Sequence, residues 1–246
     1  GAIAALTGAP VRVGFSRKYV KEFNFLFSNK KIVPSDALLP RVTRNLELIQ
    51  SFVAAENLVD KPLLGLTSRH CEKARAYISE TIGKDHPLIA VHPGTSRPLK
   101  KWFTPQFAEL CDRLAESLDA KIILTWGPGE RQQVEEIHSL ARRKPQIAFQ
   151  TDSLLELAAL LQMCDLMVTV DCGPMHIASL LGKPVVAIFG PTDTRINAPY
   201  WRPHRVITGH LDCQPCDETC EHAKCMEAVA PEEVFRVAAE LLHEKR

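Results

Sequence analysis

The stretch VTVDCGPMHIASLLGKPVVAIFGPTD, residues 168–193, decides the fold. An apolar run ends in Asp171, a Cys-Gly-Pro corner follows, and an apolar helix pattern begins at once. A second apolar run, PVVAIFG, then closes on FGPTD. Strand, tight corner, short helix and strand make a βαβ unit. Strands without polar alternation belong to a parallel sheet covered on both faces. Core packing accounts for the apolar residues, not for Asp171, Gly173 and His176 around one corner. Ligands of open parallel sheets bind beyond the carboxyl ends of the strands. The corner is therefore the first candidate site.

The same rhythm extends upstream. LIAVHPG (88–94), KIILTWGPG (121–129), IAFQ (147–150), LMVTV (166–170) and PVVAIFG (184–190) read as five strands. Between them, TPQFAELCDRLAESL, ERQQVEEIHSLARR, SLLELAALLQMC and PMHIASLL read as helices. Thr104 is the expected N-cap of the first, with Pro105 at N1, and Ser153 caps the third. Strands alternating with helices at short spacing give a Rossmann-like α/β domain. The closing APEEVFRVAAELLHEKR is a helix with Pro231 at N1, acids in its first turn and bases in its last. Residues 1–85 are different. VRVGF reads as a strand, RVTRNLELIQSFVAAENL and SRHCEKARAYISETI as helices, and GKDHP breaks the chain near residue 85. The expected division is 1–85 and 86–246.

Composition bounds the function. The 246 residues are 46% hydrophobic and 24% charged, as in soluble globular proteins. A net charge of +1 argues against a nucleic-acid partner. No apolar run reaches the ~20 residues of a membrane span. GAIAALTGAPVRVG lacks the basic start of a signal peptide and reads as structure; with no initiator Met, the chain is expected to begin partway into a longer protein. Cys71, Cys111, Cys164 and Cys172 sit at apolar positions, as in a reducing compartment, which points to the cytoplasm.

Three strand ends carry candidate chemistry. In HPGTSRPLKKW, Thr95 and Ser96 offer hydroxyls, Gly94 exposed amides, and Lys100 and Lys101 charge, a set suited to phosphate. A solvated loop is the alternative. In WGPGERQ, the third glycine of GxGxxG is replaced by Gln132, so the nicotinamide fingerprint fails. Glu130 stands where a carboxylate accepts both hydroxyls of a ribose, or else is a first-turn acid favoured by the helix dipole. At the opening corner, Gly173 admits close backbone approach, the helix amides form an anion site, and Asp171 and His176 flank the same mouth. Helix capping and a satisfied histidine are their alternatives. Gly190 and Thr192 add a small polar turn beside it. Together these ends suit a nucleotide carrying a diphosphate.

Two further clusters stand out. Cys213, Cys216, Cys220 and Cys225 form C-x2-C-x3-C-x4-C, whose start has metal-ligand spacing. Structural zinc, disulfides and free thiols remain open there. Arg17, Lys18 and Lys21, with Lys30 and Lys31, surround Phe23, Phe25 and Phe27. A solvated basic face is the plain reading of that run.

HPGTSRPLKKWFTPQFAELCDRL, WGPGERQ, SLLELAALLQMCDLMVTVDCGPMHIASLLGKPVVAIFGPTD and WRPH resemble glycosyltransferase family 9, the ADP-heptose:lipopolysaccharide heptosyltransferases. D-x-G-x-x-H followed by FGPTD carries most of the likeness, and CQPCDETC…CM…PEEV is also similar. The resemblance implies a GT-B enzyme, two Rossmann-like domains facing a cleft, inverting at the sugar carbon with no catalytic metal or other cofactor. It implies an ADP-sugar donor, a lipopolysaccharide-core or lipid A precursor acceptor, and peripheral contact with the inner membrane. Thr95, Ser96 and Lys100 match its diphosphate loop and Glu130 its ribose ligand. Asp171, Cys172, Gly173 and His176 match its pyrophosphate and sugar corner. Lys100 stabilises the leaving group. Many members have Thr or Ser where this chain has Cys172, and a thiol is the poorer donor. Arg17, Lys18 and Lys21 fall on the acceptor side.

The family begins with a strand and a Gly-Asp turn whose Asp resembles the general base. This chain joins the pattern roughly a hundred residues later, about one ordinary domain. The expectation is a complete donor domain, a shortened first domain, donor binding and little transfer. A relative with another nucleotide sugar or acceptor, and a non-catalytic nucleotide-binding protein, are the competing readings.

Overall fold

The computed structural model describes the chain except for residues 21–22, 55–63, 84, 202, 217–219, 221 and 245–246. Its elements in order are α1 (Ala2–Leu6), β1 (Val13–Phe15), β2 (Lys30–Ile32), α2 (Arg41–Gln50), α3 (Ser68–Thr81), β3 (Leu88–His92), α4 (Thr104–Leu118), β4 (Lys121–Leu124), α5 (Arg131–Leu140), β5 (Gln146–Ile147), α6 (Leu154–Gln162), β6 (Leu166–Val170), α7 (Gly173–Leu180), β7 (Val185–Phe189), α8 (Thr194–Asn197), β8 (His204–Thr208), α9 (Lys224–Glu227) and α10 (Pro231–His243). No described helix is long and apolar enough to cross a membrane.

Two compact units divide the chain. Gly1–Pro62 with Arg195–Asn197 forms the first. There β1 and β2 pair in parallel with Val13 opposite Lys30, and the Arg44 guanidinium lies 5.2 Å from the centre of the Phe15 ring.

Leu63–Thr194 and Ala198–Arg246 form the second unit. It takes in α3, so the division expected near residue 85 falls inside it. The reason is packing: Ile78 of α3 is buried with Leu157, Leu160 and Leu161 of α6. The unit is built on a six-stranded parallel sheet in the order β5-β4-β3-β6-β7-β8. All residues of β3, β6 and β7 are buried. Alternate positions serve opposite faces. Ile89, Val91, Val168, Val170, Val186 and Ile188 pack under Phe107, Leu110, Leu114, Val134, Val234 and Leu241 of α4, α5 and α10. Leu88, Ala90, Met167, Val185, Ala187 and Phe189 pack against α3, α6 and α7. This two-sided cover is why the strands lack polar alternation.

Several local expectations shift. Thr104 is the first residue of α4 instead of its cap, because extended Phe103 precedes it and Pro105 fills the first turn. Ser153 does cap α6, its Oγ accepting from Glu156 N at 3.2 Å. The strand expected over 147–150 is β5, shorter and earlier. β8 is a sixth strand beyond the five expected from the sequence. In its residues HRVIT, His204, Arg205 and Thr208 flank the apolar pair Val206–Ile207, as an edge position allows. Trp102, from the KKW segment, belongs to the core. It is 1% exposed, donates from Nε1 to Val229 O at 3.1 Å and meets the Phe107 ring edge-on at 4.8 Å.

Candidate functional site

The chain leaves β3 through α4 for β4 on one side, whereas β6 pairs with β3 on the other. The carboxyl ends of β3 and β6 therefore bound the topological switch point, where open α/β sheets hold their ligands. A cavity of about 670 Å³ opens there. Thr95, Ser96, Lys100, Glu130, Asp171, Cys172, Gly173 and His176 all line it, so one mouth gathers residues spread over 82 positions of sequence from 95 to 176.

Its charged floor joins three strand ends. Lys100, in the turn Pro98–Lys100 after β3, places Nζ 2.7 Å from Asp171 Oδ2 at the end of β6. Thr192, after β7, donates to the same Oδ2 at 2.6 Å. Thr95 Oγ1 donates to Asp171 O at 3.4 Å. Asp171 is thus a crosslink and not a helix cap. The N-cap of α7 is Cys172. Gly173 and Pro174 at the start of α7 line the cavity, and Gly173 leaves open space where a side chain would stand.

The opposite wall holds Glu130. It precedes α5 as its N-cap, but its carboxylate turns back into the loop, Oε2 accepting from Gly127 N at 2.7 Å. The first-turn alternative therefore does not describe it. A Cβ on Gly94 would lie 2.1 Å from Glu130 Cδ, so glycine at 94 makes room for this carboxylate. Trp126 also lines the cavity, its Nε1 donating to Ala148 O at 2.9 Å. Beneath lies His92, 3% exposed, a residue singled out by no motif argument above. A polar residue closing the buried run LIAVH was the available signal.

Cys172 is part-buried, its Sγ 3.2 Å from Thr169 Oγ1. Burial pushes its thiol up to about 12, against the bonds from Thr169 and the Met175 amide. His176 is exposed on α7 at the cavity rim. Gly190 and Thr192 are not among the lining residues. Gly190 is a packing glycine, since a Cβ would meet Met226 Sδ at 2.6 Å and Cys225 Sγ at 3.2 Å. Thr192 reaches the site through Asp171.

The four C-terminal cysteines are free thiols. Among the described residues no group of three or more His, Cys, Asp or Glu is placed to hold a metal, so the zinc expectation finds no assembled centre. Cys225 is buried behind the Gly190 turn. In the first unit Arg17 and Lys18 are exposed, with Arg17 5.5 Å from the Phe25 ring centre and Lys18 5.9 Å from that of Tyr19. Lys21 lies outside the described residues.

A doubly wound α/β domain with a charged, glycine-edged cleft at its switch point defines the class, that of α/β proteins built to hold a polar ligand at their strand ends. Comparison narrows it. The chain belongs to glycosyltransferase family 9 (heptosyltransferase), whose family model matches residues 1–227. It is 32% identical over 166 residues to lipooligosaccharide heptosyltransferase 2 of Campylobacter jejuni, covering 63% of this chain and 51% of that one. The chain spans about half the length of the curated relatives it matches. The fold is shared with the family 9 glycosyl transferase of Veillonella parvula, at TM-score 0.81 and 23% identity over 99% of this chain and 70% of that one. It is also shared with the ADP-heptose lipopolysaccharide heptosyltransferase II of E. coli, at TM-score 0.74 and 21% identity over 97% and 72%. The α/β architecture with parallel sheets is that of the GT-B heptosyltransferases.

Proposed function

We propose that this chain is the nucleotide-sugar side of an inverting heptosyltransferase, moving heptose from ADP-L-glycero-D-manno-heptose to the lipopolysaccharide inner core. The observation that carries the reading is the pairing, across one cavity at the switch point, of a carboxylate at Glu130 with the Lys100 ammonium and the glycine-edged start of α7. Membership of a heptosyltransferase family, and a solved relative named for ADP-heptose, support the choice of donor.

In this mechanism the ribose hydroxyls donate to Glu130, and the base lies by Trp126. The diphosphate faces Lys100 and the α7 amides, with Thr95 and Ser96 as hydroxyl donors. His176 stands at the rim. The acceptor oxygen attacks the anomeric carbon opposite ADP, and negative charge grows on the leaving diphosphate. Lys100 exchanges Asp171 for that charge, so its contact is strongest in the transition state. The acceptor proton goes to a carboxylate base. Arg17 and Lys18 meet a phosphorylated, lipid-linked acceptor at the membrane face.

Calorimetry of the 246-residue chain with ADP, UDP and GDP tests the donor side. ADP should bind at least about tenfold tighter than the others, a difference of ~1.4 kcal/mol. UDP or GDP binding as tightly as ADP would assign another nucleotide sugar.

A further inference from the structure

Glu130 is set from beneath by His92, a residue that the proposed chemistry does not otherwise use. His92 ends β3, and its backbone is pinned where Thr169 Oγ1 of β6 donates to His92 O at 2.9 Å. Its Nδ1 lies 3.1 Å from Thr125 Oγ1. Its Nε2 lies 3.7 Å from Glu130 Oε2. Burial lowers its pKa, against the Glu130 carboxylate and a bond to the Thr125 backbone, so the ring is neutral and carries one N–H. Thr125 holds the Nδ1 edge of the ring, and the Nε2 edge faces the carboxylate.

The separation matters. At 3.7 Å the ring lies against the carboxylate without occupying its lone pairs in a hydrogen bond. Gly127 N holds Oε2 from the side, and the missing side chain of Gly94 leaves the space the carboxylate fills. Three constraints thus aim one carboxylate while leaving it acceptors for a diol.

We propose that His92 is the positioning residue for ribose recognition, aiming Glu130 at the vicinal hydroxyls and so setting discrimination against 2′-deoxynucleotides. The inference rests on the nucleotide-sugar reading above.

The test compares ADP with 2′-deoxy-ADP, by calorimetry, on the 246-residue chain and two variants. Losing one hydrogen bond to a charged acceptor should make wild type favour ADP by about 10–100-fold. His92→Gln, whose amide nitrogen reaches the Nε2 position, should keep most of that ratio. His92→Asn, whose amide reaches only the Nδ1 position, should bring it to within about threefold while leaving 2′-deoxy-ADP affinity nearly unchanged. An undiminished ratio in the Asn variant overturns the proposal. So does an equal fall for both nucleotides in both variants, the mark of a merely structural histidine. Independently of folding in either variant, the His92 ring 15N resonances of wild type should move with ADP and stay with 2′-deoxy-ADP. Identical responses to the two overturn it. ADP binding with these failures removes only the role of His92, whereas no ADP binding by wild type removes the nucleotide reading and this inference with it.

Discussion

Lys100 Nζ and Asp171 Oδ2 meet at 2.7 Å across the switch point, with side chains 15% and 9% exposed. Thr192 Oγ1 completes the carboxylate's surroundings from the end of β7. One ammonium therefore serves a structural partner and faces a cavity suited to an anion. A diphosphate and Asp171 compete for it. Lys100→Ala should weaken ADP binding by about 10–100-fold and leave adenosine binding unchanged, because only the charge-assisted contact is lost. It should also cost about 3 kcal/mol of stability in urea unfolding, since Asp171 keeps only its neutral donors. Equal losses for ADP and adenosine would remove Lys100 from phosphate binding.

Gly173 and Gly94 make opposite predictions, and the contrast separates ligand space from packing. An alanine at 173 meets nothing within 4 Å, and at the start of α7 it is the better helix former. Gly173→Ala should keep the melting temperature and weaken ADP by at least about tenfold, through a methyl group in the ligand's path. An alanine at 94 collides with the Glu130 carboxylate at 2.1 Å. Gly94→Ala should lower stability by about 1–3 kcal/mol and shift the carboxylate. Unaltered ADP affinity in Gly173→Ala would move the ligand away from the α7 amides.

What the sequence disclosed follows from where the physics is local. The alternation of buried strands and amphipathic helices is a property of each segment, so the parallel sheet was legible from residue 88 onward. The corner at 171 was legible because Asp, Gly and His break the apolar pattern. The partner of Asp171 was not, because Lys100 approaches from 71 residues away and only the β3–β6 pairing brings the two together. Gly190 read as a polar-turn glycine, while its neighbour Met226 comes from 36 residues downstream. His92 was overlooked for a related reason. Its role depends on Glu130, which reaches it only when its own carboxylate folds back over the loop after β4.

Asp112 supplies a pH dependence remote from the cavity. Burial pushes its carboxyl up, but the amides of Arg143 and Arg142 and the Arg142 guanidinium outweigh that and hold it below its ordinary value. A depressed folded pKa contributes stability that is present above the unfolded value of ~3.9 and is lost as pH falls through the folded value. Asp112→Asn keeps one acceptor and loses the charge. It should cost about 2 kcal/mol at pH 7 and flatten the stability curve below pH ~4. Urea unfolding from pH 7 to pH 3 reads both. Parallel curves for the two proteins would mean that Asp112 titrates alike in the folded and unfolded chain.

Thiol labelling tests the electrostatics of the corner itself. Cys172 lines the cavity, so access alone would make it reactive. Burial instead holds its thiol protonated, with a pKa pushed up to about 12. Only about one molecule in ten thousand then carries the thiolate at pH 8, and the thiolate is the nucleophile. Cys111 is raised further by full burial and then by the Asp112 charge. Cys213 and Cys220 are exposed. A short iodoacetamide pulse at pH 8, followed by peptide mass spectrometry, should modify Cys213 and Cys220 first and leave Cys172 and Cys111 unmodified until denaturant is added. Labelling of Cys172 at the rate of Cys213 would mean that the corner stabilises an anion at Sγ. The bond from the Met175 amide of α7 would then outweigh burial at the sulfur.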